Sequence, residues 1–296
     1  MSKQYTILLI GCSGQLGQSL QSIALNYQEY EFVFTDRNQL DLSNNLCISD
    51  FFEGKTFDII INCAAYTAVD KAESEAFLAN QINHLAIEQI ANVAKKIHAK
   101  LIHISTDYVF SGSHHQPYIE KDEVAPHGVY GKTKLKGEKA ILTKLKSNAL
   151  IIRTSWLYSE YGNNFFKTMI KLGKNCEDLN VVSDQVGTPT YAKDLAEAVM
   201  TIIKSQKFKQ KIFKTSILHY SNEGVCSWYD FAKTIFELTN IECQVTPIET
   251  ISYPTPAKRP YYSVLNKSKI KKNYNLSIPY WKDSAKRCMR ALQGKT

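Results

Sequence analysis

Apolar residues recur along the first half of this chain in short runs, separated by longer stretches with helical spacing. Tyr5–Ile10 is a largely apolar run, and Leu16, Leu20, Ile23 and Ala24 then follow at intervals of four, three and one. That pattern predicts a buried strand followed by an amphipathic helix. Glu31–Thr35 and Asp58–Ala64, the latter with its triplet Ile59-Ile60-Ile61, predict a second and a third strand. A helix-like stretch from about Glu73 to Ile97 precedes a fourth strand, Lys100–Ser105; a helix over Tyr130–Leu145 and a strand over Ala149–Thr154 come next. Repeated strand-then-helix units of this length predict an α/β fold, a doubly wound, Rossmann-like parallel sheet covered by helices on both faces.

Beyond Thr154 the pattern loosens. Phe165–Leu172 and Tyr191–Lys204 read as helices, Val181–Val182 as a short strand piece, and Ser227–Leu238 as a helix capped by its serine. The prolines of Tyr253–Pro260 predict an extended segment. The expected division is a sheet domain over residues 1–154 and a smaller α/β region over 155–296, parts of which pack back on the first.

Composition narrows the class. The 296 residues are enough to bury a full core, and 44% hydrophobic with 22% charged residues is ordinary for a globular chain. No apolar run is long enough to span a bilayer, and Met1–Tyr5 leads straight into a strand without a signal-peptide core, so a cytoplasmic protein with no membrane partner is expected. Seven scattered cysteines without a C-x-x-C pair, and histidines without helical metal spacing, predict neither a disulfide framework nor a metal site. The net charge of +8 is uneven: residues 258–296 hold eleven Lys or Arg and a single acid, Asp283, so the rest nets −2. No nucleic-acid motif accompanies the basic segment; an anionic small substrate is the expected partner for a few of these charges.

Several clusters carry candidate chemistry. Gly11-Cys-Ser13-Gly14-Gln15-Leu16-Gly17 links the first strand to the first helix, where glycines permit a tight turn and close approach of a pyrophosphate to a helix N-terminus. Residues 1–154 are therefore expected to bind a dinucleotide. Asp36 ends the second strand, where an acid binds the ribose 2′-hydroxyl of NAD, but neighbouring Arg37 suits the extra phosphate of NADP; both NADPH and NADH stay open. Asp41-Leu42 is a candidate adenine contact or a helix cap, and small Ala64 and Ala65 leave room at the carboxyl edge of the sheet. At the same edge Ser105-Thr106 can hydrogen-bond a carbonyl. Tyr130 and Lys134 stand at i and i+4 on a helix, so phenol and ammonium converge, and the ammonium is expected to lower the tyrosine pKa.

With these marks the chain resembles the extended short-chain dehydrogenase/reductases, and within them the dTDP-4-dehydrorhamnose reductase family. The narrower likeness rests on Tyr66–Glu73, Ser105–Phe110, Val129–Lys134, Arg153–Trp156, Gly162–Phe165, Asp184–Pro189 and Tyr253–Pro260. The resemblance implies reduction of the 4-keto group of dTDP-4-dehydro-L-rhamnose, with Tyr130 as proton donor, Lys134 on the nicotinamide ribose and Thr106 orienting the carbonyl. It implies cofactor contacts from Ser13, Gly14, Gln15, Asp36, Asp41, Leu42, Ala65, Tyr66, Thr67 and Ile104, and substrate contacts from Asp107 and Trp156. Asn163, Asn164 and Arg259 are further substrate candidates. Some reductases of this family dimerise around Mg²⁺ held by glutamates; the matching positions are Ser19 and Lys193, so a monomer or weak homodimer without bridging metal is expected.

Two other readings stay open. A 4-epimerase or 4,6-dehydratase shares the fold, but dehydratases carry Asp-Glu after the strand-end threonine, and here Tyr108 follows Asp107. A non-catalytic NADP-binding regulatory subunit also resembles the reductases, and the intact Thr106, Tyr130 and Lys134 argue against it.

Overall fold

The structure is a computed structural model that describes residues 4–294. Its centre is a six-stranded, all-parallel sheet. Five strands are β1 (Tyr5–Ile10), β2 (Tyr30–Thr35), β3 (Ile59–Asn62), β4 (Lys100–Thr106) and β5 (Ala149–Thr154). The sixth is Ser216–His219, and the spatial order runs Ser216–His219, β5, β4, β3, β1, β2. Ile10 stands in register with Thr35 and Asn62, Asn62 with His103, and Thr106 with Thr154, so the carboxyl ends of the strands share one edge.

Strand residues divide by parity between two cores. Ile7, Leu9, Ile59, Ile61, Ile102 and Ile152 face helix α1 (Gln15–Ala24) and the helix Ala192–Lys204. Leu8, Ile10, Ile60, Leu101 and Ile151 face the helices Ala86–Lys96 and Val129–Lys144. Both faces are buried because parallel crossovers place helices on each side, which explains continuous apolar runs rather than alternation. A third core, with Tyr158, Phe166, Phe231 and Trp281, lies under the second region.

One expectation needs correction, and one strand was not expected. The long helix foreseen over Glu73–Ile97 begins later: Val69–Ala72 forms a separate turn, and the helical stretch starts at Ala76 with a π-helical turn at Gln81–Leu85. The strand Ser216–His219, which pairs with β5, carried no distinct sequence signal: four residues, two of them polar, preceded by Lys209, Lys211 and Lys214. The serine cap was well placed. Ser227 caps the helix Trp228–Thr239 in a reciprocal box with Asp230. Among the described residues no helix is long and apolar enough to cross a membrane, and no group of three acidic, His or Cys side chains could hold a metal ion.

Candidate active site

A cleft of about 770 Å³ opens along the carboxyl edge of the sheet. At one end lies the glycine loop. Gly11 has φ +82°, and a Cβ there would lie 2.7 Å from the Ala64 backbone nitrogen; one on Gly17 would lie 2.2 Å from the Gly11 carbonyl. Gly11 therefore lets the loop press against the end of β3, and Gly17 lets α1 pack beneath the loop. Gly17 itself does not line the cleft. Helix α1 starts at Gly14 with no side-chain cap and no acid in its first turn, so its positive end faces the cleft unopposed.

The expected wall is assembled. Ser13, Gly14, Gln15, Leu16, Asp36, Arg37, Asp41, Leu42, Ala64, Ala65, Tyr66, Thr67 and Ile104 all line the cleft with Gly11. Asp36 Oδ1 accepts the Asn38 amide at 2.9 Å, while Asp41 holds the Ser43 hydroxyl at 2.8 Å and stands 3.6 Å from Arg37. Asp41 is thus a turn former at this wall, and the cap of the next helix, Asn45–Phe52, is Asn44. The segment 64–67 is fixed from below by Asn83 in the π turn. Asn83 accepts the Tyr66 amide at 2.9 Å and donates to the Tyr66 carbonyl at 3.0 Å. Nothing in the sequence marked Asn83, because a π turn has no compositional signature; such turns gather at functional sites.

At the other end Thr106, Asp107, Tyr130, Lys134 and Trp156 line the same cleft. Tyr130 and Lys134 sit near the start of the helix Val129–Lys144, as their spacing required. Their electrostatics differ from expectation. Burial pushes the Tyr130 phenol above its ordinary pKa, with the Thr106 hydroxyl close enough to pull the other way and Asp107 adding to the rise. Lys134 does not lower it, because its ammonium is held elsewhere: it donates to the Ile104 carbonyl at 2.7 Å and lies 3.4 Å from His103 Nε2. Burial brings Lys134 itself down to about 8, against the upward pull of Glu138 and Cys63. His103, fully buried and 3.0 Å from the Asn62 amide, is held neutral by burial and by Lys134. The Tyr130 ring meets Tyr108 edge to face at 5.5 Å.

Asp107 is nearly fully buried, and burial pushes its carboxyl up to about 7 although Thr106, Ser263 and backbone amides oppose the rise. The Thr106 hydroxyl donates to Asp107 Oδ1 at 2.9 Å. Beneath the site, Ser105 donates to Glu138, which forms a two-pronged buried ion pair with Arg153 at 2.9 and 2.7 Å. Ser105 lines the cleft, but its hydroxyl is committed to Glu138 and braces the helix. Glu138 lay unmarked on a helix whose exposed positions are also charged, so its burial was not legible.

Three candidates stand apart from their expected roles. Arg259 stands behind the cleft wall, beside Tyr108, and forms an ion pair with Asp70 at 2.6 Å. Asn164, with Asn163, lines the cleft, but its side chain is fully engaged. Its amide donates to Gln15 Oε1 and to the carbonyls of Ser159 and Tyr161, and its oxygen caps the helix Phe165–Gly173. Among the described residues, none of the basic side chains of the carboxyl-terminal segment lines the cleft: Arg287 pairs with Asp194, Lys267 and Lys271 with Glu223.

Comparison with known proteins adds an independent view. The RmlD substrate binding domain family matches residues 5–293. The chain is similar to the dTDP-4-dehydrorhamnose reductase of Escherichia coli K12, with 40% identity over 97% of each chain. It is similar in structure to a dTDP-4-dehydrorhamnose reductase from Clostridium acetobutylicum, with TM-score 0.90 and 44% identity over 97% of this chain and 99% of that one. The dTDP-4-dehydrorhamnose reductase of Bacillus anthracis, solved in complex with NADP, superposes with TM-score 0.91 and 38% identity over 98% and 100% of the chains.

Proposed function

Because the chain belongs to the RmlD substrate binding domain family, we propose that its cleft reduces the 4-keto group of dTDP-4-dehydro-L-rhamnose to give dTDP-L-rhamnose, with NADPH or NADH as reductant. The observation that carries the reading is the meeting of Tyr130, Thr106 and Lys134 in the same cleft as the glycine loop. The residues present fit a dinucleotide: Gly11 and Ala64 form a cradle that a Cβ would fill, and the uncapped start of α1 favours a pyrophosphate. When bound, the nicotinamide supplies the hydride.

This chain's own residues handle the proton. A phenol held above its ordinary pKa stays protonated at neutral pH, which suits a donor to the alkoxide formed at C4. The phenol is protonated at neutral pH whether its pKa is ordinary or raised, so its proton is available in the reductive direction. With Asp107 ionised, the Thr106 hydroxyl commits its proton to Oδ1 and presents only lone pairs to the cleft. With Asp107 protonated, the Thr106 proton is released for a substrate carbonyl. Lys134, anchored by the Ile104 carbonyl, keeps a cation at the floor of the site, where it favours developing negative charge.

The test is direct. Purified protein, NADPH and dTDP-4-dehydrorhamnose should consume reduced nicotinamide in a one-to-one ratio with product. Unchanged absorbance at the nicotinamide band would leave a binding subunit; product without net cofactor oxidation would indicate an epimerase.

A further inference from the structure

Trp156 has a left-handed backbone, φ +48°, a conformation that a bulky side chain adopts only when its surroundings impose it. The surroundings are specific. Its ring stacks on Trp228 with centroids 3.6 Å apart and planes 9° from parallel. Its edge lies over Gly187, where a Cβ would come within 2.7 Å of Cε2 and 2.8 Å of Cζ2. The peptide is pinned as well, since the Thr190 amide donates to the Trp156 carbonyl at 3.1 Å and the Ser155 hydroxyl to the Thr188 carbonyl at 2.8 Å.

The two groups that grip the ring are themselves joined. Gly187 pairs with Cys226 and Val186 with Ser227 in a short antiparallel ladder, and Trp228 follows Ser227 directly. Trp228 is the first residue of a helix whose start is locked by the Ser227–Asp230 capping box, and Phe165 lies against its ring at 4.6 Å. Trp156 lines the cleft; Trp228 and Gly187 do not. A rigid frame outside the site thus dictates the orientation of a flat apolar surface inside it.

We propose that Trp228, backed by Gly187, is a positioning residue that holds Trp156 as a flat wall for the sugar nucleotide, and so sets affinity for that substrate but not for the nicotinamide cofactor. This rests on the reading of the cleft given under Proposed function. An indole face suits the apolar side of a deoxyhexose or a pyrimidine ring, and holding it beforehand removes an ordering cost from binding.

Stacked indoles couple excitonically, so the wild type should show a circular-dichroism couplet that disappears in both Trp228→Leu and Trp156→Leu. In Trp228→Leu the KM for dTDP-4-dehydrorhamnose should rise about tenfold, the size expected for losing one aromatic contact, while kcat and the NADPH dissociation constant stay within about twofold. Trp228→Phe should restore most of the affinity. Should Trp228→Leu fail to fold, Gly187→Ala crowds the Trp156 ring at Cε2 and Cζ2, together with the Ser263 hydroxyl, and should raise the KM for the sugar nucleotide with NADPH affinity unchanged. The proposal is overturned if the couplet is lost yet KM is unchanged, or if sugar-nucleotide and NADPH affinity fall together. Titration of the wild type with dTDP-rhamnose, followed by the couplet, needs no turnover; an unresponsive couplet overturns the wall, whereas absence of turnover with a responsive couplet overturns only the reductase reading.

Discussion

Tyr130 owes its chemistry to where the fold buries it. Its phenol is raised by desolvation, and the only close relief is the Thr106 hydroxyl. Replacing it with phenylalanine keeps the ring and its edge contact with Tyr108 but removes the proton. Tyr130→Phe should therefore lose about 10²–10⁴ in kcat, the range for removing a general acid, while NADPH still binds in a fluorescence titration. Asp107 offers a pH test with a defined sign. Its folded carboxyl titrates at about 7, whereas an ordinary aspartate titrates near 3.9. Between about pH 4 and pH 7 the folded protein holds a proton that the unfolded chain has released, so this group's contribution to stability declines as pH rises through that window. Asp107→Asn cannot titrate. Its unfolding free energy relative to wild type should climb across the window, by up to about 1.4 kcal/mol for each pH unit; a constant difference in urea midpoints from pH 4 to 8 would show that the carboxyl is not held neutral. The residues themselves were legible, since spacing brought Tyr130 and Lys134 together on one helical face. Their protonation was not, because it depends on desolvation and on the Ile104 carbonyl that captures Lys134, neither of which spacing reports.

The helix Val129–Lys144 is set against the sheet by one buried pair. Glu138 and Arg153 are 1% and 2% exposed, and Glu138 also receives the Ser105 hydroxyl. Arg153 is further covered by Phe110, whose ring centre lies 4.9 Å from the guanidinium carbon. Removing one partner leaves an uncompensated buried charge, so Glu138→Gln should lower the unfolding free energy by about 3–5 kcal/mol. Because Glu138 also pulls the Lys134 pKa upward, the same variant should move that group further below its ordinary value. Urea unfolding reads the first effect; an unchanged midpoint would mean the pair adds nothing. At this scale the sequence was informative where the pattern was regular: β1 and β5 fall at the residues their apolar runs marked, and the Ser227 cap announces its helix. It was silent where tertiary contacts decide. The π turn that aims Asn83 at Tyr66 breaks no propensity rule, and the strand Ser216–His219 exists because β5 offers it an open edge.

Segments far apart in the chain are tied together on both sides of the cleft, and the ties explain residues that looked like ligand contacts. Gln15 at the start of α1 accepts the amide of Asn164 and the hydroxyl of Ser159, while Asp70 holds Arg259 from the proline-rich segment. Asp194, on the helix that packs against α1, gathers Asn222, Ser284 and Arg287 from the carboxyl-terminal third. Much of the basic segment is thus engaged in joining the molecule to itself. The same packing bears on assembly. Ser19 matches a position where some of the resembled reductases place a metal-binding glutamate; here it is fully buried, and its hydroxyl donates to the Gln15 carbonyl at 2.9 Å. The other such position is Lys193, whose ammonium repels a divalent cation. A hard cation needs several oxygen ligands, and neither position can furnish one at the surface. Sedimentation velocity in excess Mg²⁺ and in EDTA should therefore give the same mass distribution. A dimer that forms with Mg²⁺ and dissociates with EDTA would require oxygen ligands from elsewhere on the surface, and would overturn the expectation of a metal-independent state.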